Sequence, residues 1–239
     1  MAIVRVQGNA RGCVVGGSNF TITMGSTPIS GNVLILAIGI RCGTSLYITV
    51  SSISQTGVTW SLVIQKKAVP SLYYMDTEIW IGIVGTGAGT VITVTLTGTL
   101  PTNGEAVADV CEYSGVLTVG YLDKTATNSG ANSTPDTGTT ATTTQADELW
   151  IGSTSAEGAD QTTPRNGFTL LDGVQLCGFD EYNSEAYLEK IVSATGTANS
   201  GTTCPYNTDW VGCIATFKAS PAAKPKGSIT LLAKGGGII

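Results

Sequence analysis

The sequence predicts an all-β protein, a jelly-roll-like antiparallel β-sandwich with an internal pseudo-duplication. Three observations carry that expectation. Glycine (31 of 239 residues) and abundant Ser and Thr disfavour helix and mark turns. The apolar segments are dominated by β-branched and aromatic residues, which suit a pleated surface. These segments recur at intervals of about 10 to 15 residues, punctuated by Gly, Pro, Asn and Ser.

Taken in order, strands are expected near 2–7, 19–25, 32–40, 46–53, 58–67, 72–84, 90–97 and 105–113. A second series is expected near 137–144, 147–155, 167–176, 186–195 and 208–218, with a last strand near 228–233. Within the first series, Thr77-Glu78-Ile79-Trp80-Ile81-Gly82-Ile83 alternates small or polar with large apolar residues, the pattern of a half-buried strand. Gly85-Thr86-Gly87-Ala88-Gly89 lies between strands and reads as a hairpin turn, not a nucleotide-binding loop. Residues 184–192 resemble a short helix, but their Gly-rich flanks favour strand.

The two series look related. Asn32–Leu36 resembles Asp147–Ile151, Gly57–Trp60 resembles Gly167–Leu170, Ile83–Gly87 resembles Ile191–Gly196, and Glu112–Ser114 corresponds to Thr216–Lys218. Four matches in one order suggest a duplicated half-set of strands. The expected organisation is an N-terminal strand or arm (1–16), a sandwich (17–219, with repeats at about 17–116 and 124–219), and a C-terminal linker plus strand (220–239). Two separate sandwiches joined by the Ser/Thr-rich stretch 125–146 are the alternative.

Charge is unevenly distributed. Residues 12–217 carry all 17 acidic residues against 6 basic ones, a net of −11, while the two ends carry six basic residues and no acid. Such a body repels phosphates, so nucleic acid is not an expected partner. Basic ends on an acidic body suit docking on a neighbouring subunit. The candidate assembly residues are Ile3, Val4, Arg5 and Val6 at the start, and Lys224, Lys226, Ile229, Leu231, Leu232 and Lys234 at the end. The stretch Ala219–Gly227 reads as an extended linker, and Ser228–Ala233 as a strand able to complete a sheet within or between chains. No apolar run is long enough for a membrane span, and no basic n-region precedes a long apolar segment, so neither a span nor a secretory signal is expected.

Chemistry is constrained by the absence of histidine. Ser-His-Asp and Cys-His catalysis and the usual zinc sites are excluded, and no cofactor motif is present. Glu78, Glu112 and Glu148 lie on or beside strands, but nothing pairs them as a glycosidase requires. No catalytic residue is therefore assigned. Asp180, Glu181, Asn183 and Glu185 form an oxygen-rich stretch that is a weak calcium candidate without EF-hand spacing. The tyrosines Tyr73, Tyr74, Tyr182 and Tyr206 suit sugar stacking or interface packing alike. Asn19-Phe20-Thr21 and Asn132-Ser133-Thr134 are formal glycosylation sequons. Among six cysteines, Cys177 and Cys204 flank a loop-rich stretch and are the candidate disulfide, buried free thiols being the default elsewhere.

The run Val107–Gly115, containing Glu112-Tyr113-Ser114-Gly115, is preceded by Gly31-Asn32 and Gly57-Val58-Thr59-Trp60. This succession resembles β-sandwich modules of phage virion structural proteins and prokaryotic surface proteins over roughly residues 28–172. The resemblance implies a fold and carries over no catalytic residue. The expected function is a non-enzymatic structural subunit of an ordered assembly: a decoration, minor capsid or tail protein of a virion assembled in the host cytoplasm. Its partners would be copies of itself or other subunits. An extracellular filament or surface-layer subunit joined by strand exchange, and a glycan-binding or adhesive module, are the alternatives.

Overall fold

The computed structural model describes residues 2–173 and 182–221, which contain thirteen β-strands and no helix. In chain order these are β1 (Val4–Val15), β2 (Asn19–Thr23), β3 (Val33–Arg41), β4 (Val50–Ser54), β5 (Val58–Ala68), β6 (Met75–Val84) and β7 (Val91–Leu96). They continue with β8 (Glu105–Ser114), β9 (Leu122–Asn132), β10 (Asp147–Glu157), β11 (Thr169–Asp172), β12 (Asn183–Ser193) and β13 (Thr208–Lys218). The all-β sandwich expected from composition is the observed class. The expected strand at 228–233 lies outside the described residues.

The strands form three antiparallel sheets stacked as layers. A central sheet has the order β1-β8-β3-β6-β5, a small outer sheet β2-β7-β4, and a second five-stranded sheet β11-β12-β10-β13-β9. The middle strand shows why the central sheet must lie between the others. Val33–Arg41 reads VLILAIGIR and is buried at every position, as a strand covered on both faces must be. Side chains alternate between two cores. Leu34, Leu36, Ile38 and Ile40 pack with Ile22, Ile92 and Val94 of the small sheet. Val33, Ile35 and Ala37 pack with Leu149, Ile151, Tyr187 and Phe217 of the second sheet. The far face of the second sheet is also covered, with Trp150, Leu188 and Ile214 lying under Phe168 and Ala198.

The two five-stranded sheets share one topology. Replacing β1, β8, β3, β6 and β5 by β9, β13, β10, β12 and β11 turns the first order into the second. Registers agree as well: Val33 sits between Ile83 and Tyr113, and Leu149 between Ile191 and Phe217. These pairings make Val33, not Leu34, the counterpart of Leu149. The sequence match of Asn32–Leu36 with Asp147–Ile151 is therefore one residue out of register, a slip that would exchange the two faces of the strand.

Two expectations fail between residues 115 and 146. The Ser/Thr-rich residues 122–132 form edge strand β9, paired with β13 from Thr208↔Asn132 to Phe217↔Leu122. Residues 137–144 are not a strand. Thr137, Thr140 and Thr143 instead donate their N–H groups to the carbonyls of Ser200, Ala198 and Gly196 (2.9–3.0 Å). Their hydroxyl oxygens accept the N–H groups of those same residues at 2.9–3.2 Å. Spacing of three on one side and two on the other is not a ladder, but it covers the second sheet as an irregular fourth layer.

The two-sided burial of β3 has a measurable consequence. Ile35→Ala is expected to cost about 2–5 kcal/mol in urea unfolding, whereas Leu46→Ala, at a side chain 55% exposed, is expected to stay within about 0.5 kcal/mol.

Candidate assembly edge

The N-terminal strand is longer than its alternation suggests. β1 pairs with β8 along its whole length, from Val4↔Ser114 to Val15↔Glu105, with irregularities at Arg5/Gln7 and Gly8/Ala10. Such bulges reset the in/out pattern, which is why the sequence reads as a strand only to residue 7. Gly12 is required there, because a Cβ would come within 2.6 Å of the Thr21 carbonyl oxygen. The candidate residues Ile3, Val4, Arg5 and Val6 thus belong at the edge of their own central sheet. Ile3 is buried against the second sheet, while Val4 (52%) and Val6 (40%) remain exposed. Arg5 Nη1 lies 3.7 Å from Glu189 Oε2, and that oxygen also accepts the Tyr113 hydroxyl at 2.7 Å.

Farther along β1, a polar chain crosses between the sheets. Arg11 Nε lies 3.0 Å from Asp109 Oδ1 and its Nη1 2.8 Å from Asp172 Oδ2, which also accepts Asn9 Nδ2 at 3.1 Å. Asp109 and Glu185 face one another, and Glu185 accepts the Ser153 hydroxyl at 2.9 Å. Ser153 in turn meets the Thr77 hydroxyl at 2.7 Å. Burial pushes Asp109 up to about 7 against the pull of its hydrogen bond to Glu185 and of the Arg11 charge, and burial with the Asp109 charge raises Glu185 well above the carboxylate range.

This placement corrects the calcium expectation. Glu185 and Asn183 lie on β12, fully buried and aimed into the protein, where Asn183 Oδ1 accepts the Ser155 hydroxyl at 2.8 Å. Strand periodicity, not loop chemistry, decides their direction. Asp180 and Glu181 lie outside the described residues, and among the described residues no group of three or more His, Cys, Asp or Glu could hold a metal ion.

The remaining carboxylates named from sequence are internal acceptors. Glu78 accepts Val50 N (3.0 Å), Gln65 Nε2 (2.9 Å) and Trp80 Nε1 (2.5 Å). Glu112 accepts Ile29 N (2.8 Å), Asn32 Nδ2 (2.6 Å) and Gln7 Nε2 (2.6 Å). Glu148 accepts Trp150 Nε1 at 2.9 Å, and burial raises it to about 7. All three are at most 1% exposed, so none is open to a substrate. Glu105 and Asp209, which sequence reasoning passed over, do the same for Tyr182 N and Asn183 N, and for Ser71 N, Leu72 N and Tyr73 N. Among the described residues, eight of the chain's 17 acidic residues are buried, so the body is less acidic at its surface than its sequence implies. Among the tyrosines, Tyr73 and Tyr182 flank the Arg41 guanidinium, and Tyr74 packs edge-on against Tyr47. Tyr206 alone of the four is exposed beyond half (53%).

The expected Cys177–Cys204 bridge is not formed. Cys204 carries a free thiol, packed with Ala156, Ala159 and Trp210, while Cys13 on β1 is disulfide-bonded. Cys177 lies outside the described residues. Burial raises Cys42 and Cys111 to about 12 and Cys204 to about 11, and Cys213 well above its usual value.

The two ends of the described residues meet at one corner. Ala2 and Ile3, Ala146 and Asp147, Ile191 and Val192, and Ala219 to Pro221 line a groove of about 760 Å³. The C-terminal exit is fixed by the bridge Val116↔Ala219 and by Ser220 N donating to Gly115 O at 2.7 Å. Lys224, Lys226, Ile229, Leu231, Leu232 and Lys234 lie outside the described residues. No helix among the described residues is long and apolar enough to cross a membrane. Comparison of the chain with family models, curated proteins and solved structures finds no match.

Two measurements check this electrostatic picture. Carboxyls with raised folded pKa values hold protons that the unfolded chain releases from about pH 4. Stability is therefore expected to fall as pH rises from 5 to 8, and Asp109→Asn to flatten the slope of Tm against pH. Cys42, Cys111, Cys204 and Cys213 are expected to resist Ellman's reagent in the native protein and to react on unfolding.

Proposed function

We propose that this protein is a non-enzymatic structural subunit of an ordered assembly, with a virion as its setting, as a decoration, minor capsid or tail protein. One observation carries the reading. The first eight strands run 1-8-3-6 in one sheet and 2-7-4 in the facing one, with β5 following at the shared edge. We read that interleaving as the double Greek key of a jelly roll, an architecture of viral capsid proteins. We read β9 to β13 as a partial second copy of the same strand set, duplicated and stacked on the first. The resemblance of Gly31-Asn32, Gly57–Trp60 and Glu112–Gly115 to phage virion modules points the same way.

Further support comes from how the polar groups are used. The buried carboxylates are engaged in holding loops, which suits a rigid building block. The Cys13 disulfide suits a particle or surface exposed to oxidising conditions. The same disulfide favours, as the second reading, an extracellular filament or surface-layer subunit.

Removal of residues 222–239 tests the assembly role without disturbing the last described contacts at Ala219 and Ser220. The truncated protein is expected to keep its Tm and β-sheet circular dichroism while losing higher-order association in sedimentation velocity. A truncated protein that associates like the full chain would place assembly elsewhere. Tight, selective binding on a glycan array would favour a lectin-like role instead.

A further inference from the structure

The second sheet has one edge that is only half closed. β11 pairs with β12 from Asp172↔Tyr187 to Thr169↔Glu189 and reaches no farther. Residues 190–193 of β12 therefore have no strand on that side among the described residues, although they pair with β10 on the other. In the neighbouring sheet β1 runs past this point, with Arg5 over Glu189 and Ile3 beyond it. The difference in length leaves the groove bounded by Ile3, Ile191, Val192 and Pro221. Ile191 is 45% exposed there, an apolar side chain beside an open row of N–H and C=O groups.

We propose that this groove receives Ser228–Ala233 of a second copy of the chain, as a strand laid beside residues 190–193 in continuation of β11. The inference rests on the assembly reading above and names its contact. An open edge with an exposed apolar residue is a template for strand addition, where main-chain bonds supply affinity and alternate side chains supply fit. In Ser228-Ile229-Thr230-Leu231-Leu232-Ala233, residues 229, 231 and 233 share one face and are all apolar, while Ser228 and Thr230 fall on the other. Charge agrees: Lys224 and Lys226 precede this segment and Lys234 follows it with no acid between, and Asp147 lines the groove.

Reach allows a second copy, and the assembly reading selects it. Pro221 already lines the groove. The six residues 222–227 can span up to about 19 Å at about 3.1 Å per residue, enough to carry the segment after them from Pro221 into the groove of an adjoining copy.

The test uses a peptide of residues 222–239 and the chain truncated after Pro221, whose body keeps its own groove. Saturable binding is expected, weakened at least tenfold by Ile191→Lys, a surface change that leaves the fold intact. Equal binding to the Ile191→Lys body overturns the proposal. In the full chain, mixing an Ile191→Cys variant with a Leu231→Cys variant and oxidising is expected to give a disulfide-linked heterodimer. An Ile191→Cys/Leu231→Cys double variant that closes only within one chain overturns the second-copy assignment. Wild-type assembly without cross-linking at these positions sinks the groove but leaves the assembly role standing, whereas a wild-type chain that stays monomeric under all conditions sinks both.

Discussion

A sheet covered on both faces has no outlet for polar side chains, and the rest of this structure follows from that constraint. β3, β6 and β8 lie in the middle of the central sheet, yet β6 and β8 carry Asp76, Glu78, Glu105, Asp109 and Glu112. Burying an unpaired carboxylate costs several kcal/mol, so each is either met by donors or held with a proton. Glu112 gathers the 26–32 loop, Glu78 the start of β4, and Glu105 the start of β12. Asp76 stands beside Glu78 and is raised by burial first and by the Glu78 charge second, whereas Asp109, raised by burial, is drawn back down by its hydrogen bond to Glu185 and by Arg11. The carboxylates act as fasteners between layers.

The same constraint shapes the edge. β1 is a long edge strand that forms ladder bonds on one side, so its position also depends on side chains reaching the second sheet. Arg11, Asn9 and Arg5 provide these contacts at Asp172, the Leu171 carbonyl and Glu189. They fasten β1 to β11 and to the part of β12 that β11 covers. Past Glu189 the clamp ends, and the two sheets part around the groove. Among the described residues, the stretch of β12 past Glu189 pairs with β10 alone.

Much of the architecture was legible in the sequence. The fully apolar run of β3 and the alternating β7 identify themselves, and the correspondence of Ile83 with Ile191 and of Tyr113 with Phe217 agrees with the observed registers. What was not legible has physical causes. β9 reads LDKTATNSGAN, an edge strand with little apolar content to betray it. Thr137–Thr143 is β-prone, but its hydroxyls take up the backbone bonds of residues 196–200 and replace a ladder. That no described strand covers 190–193 left no trace in sequence, because it arises from the unequal lengths of two strands, β11 and β1, that are far apart in the chain.

By itself, the sequence determined the class of fold, since this depends on residue type and local periodicity. Only the tertiary structure decided which face each carboxylate occupies, which cysteine is bridged and where an edge stays open. Those outcomes depend on what lies across the sheet from a residue, and in a structure of stacked layers that neighbour is often more than 70 residues away, as Asp109 is from Glu185 and Ile3 from Phe217.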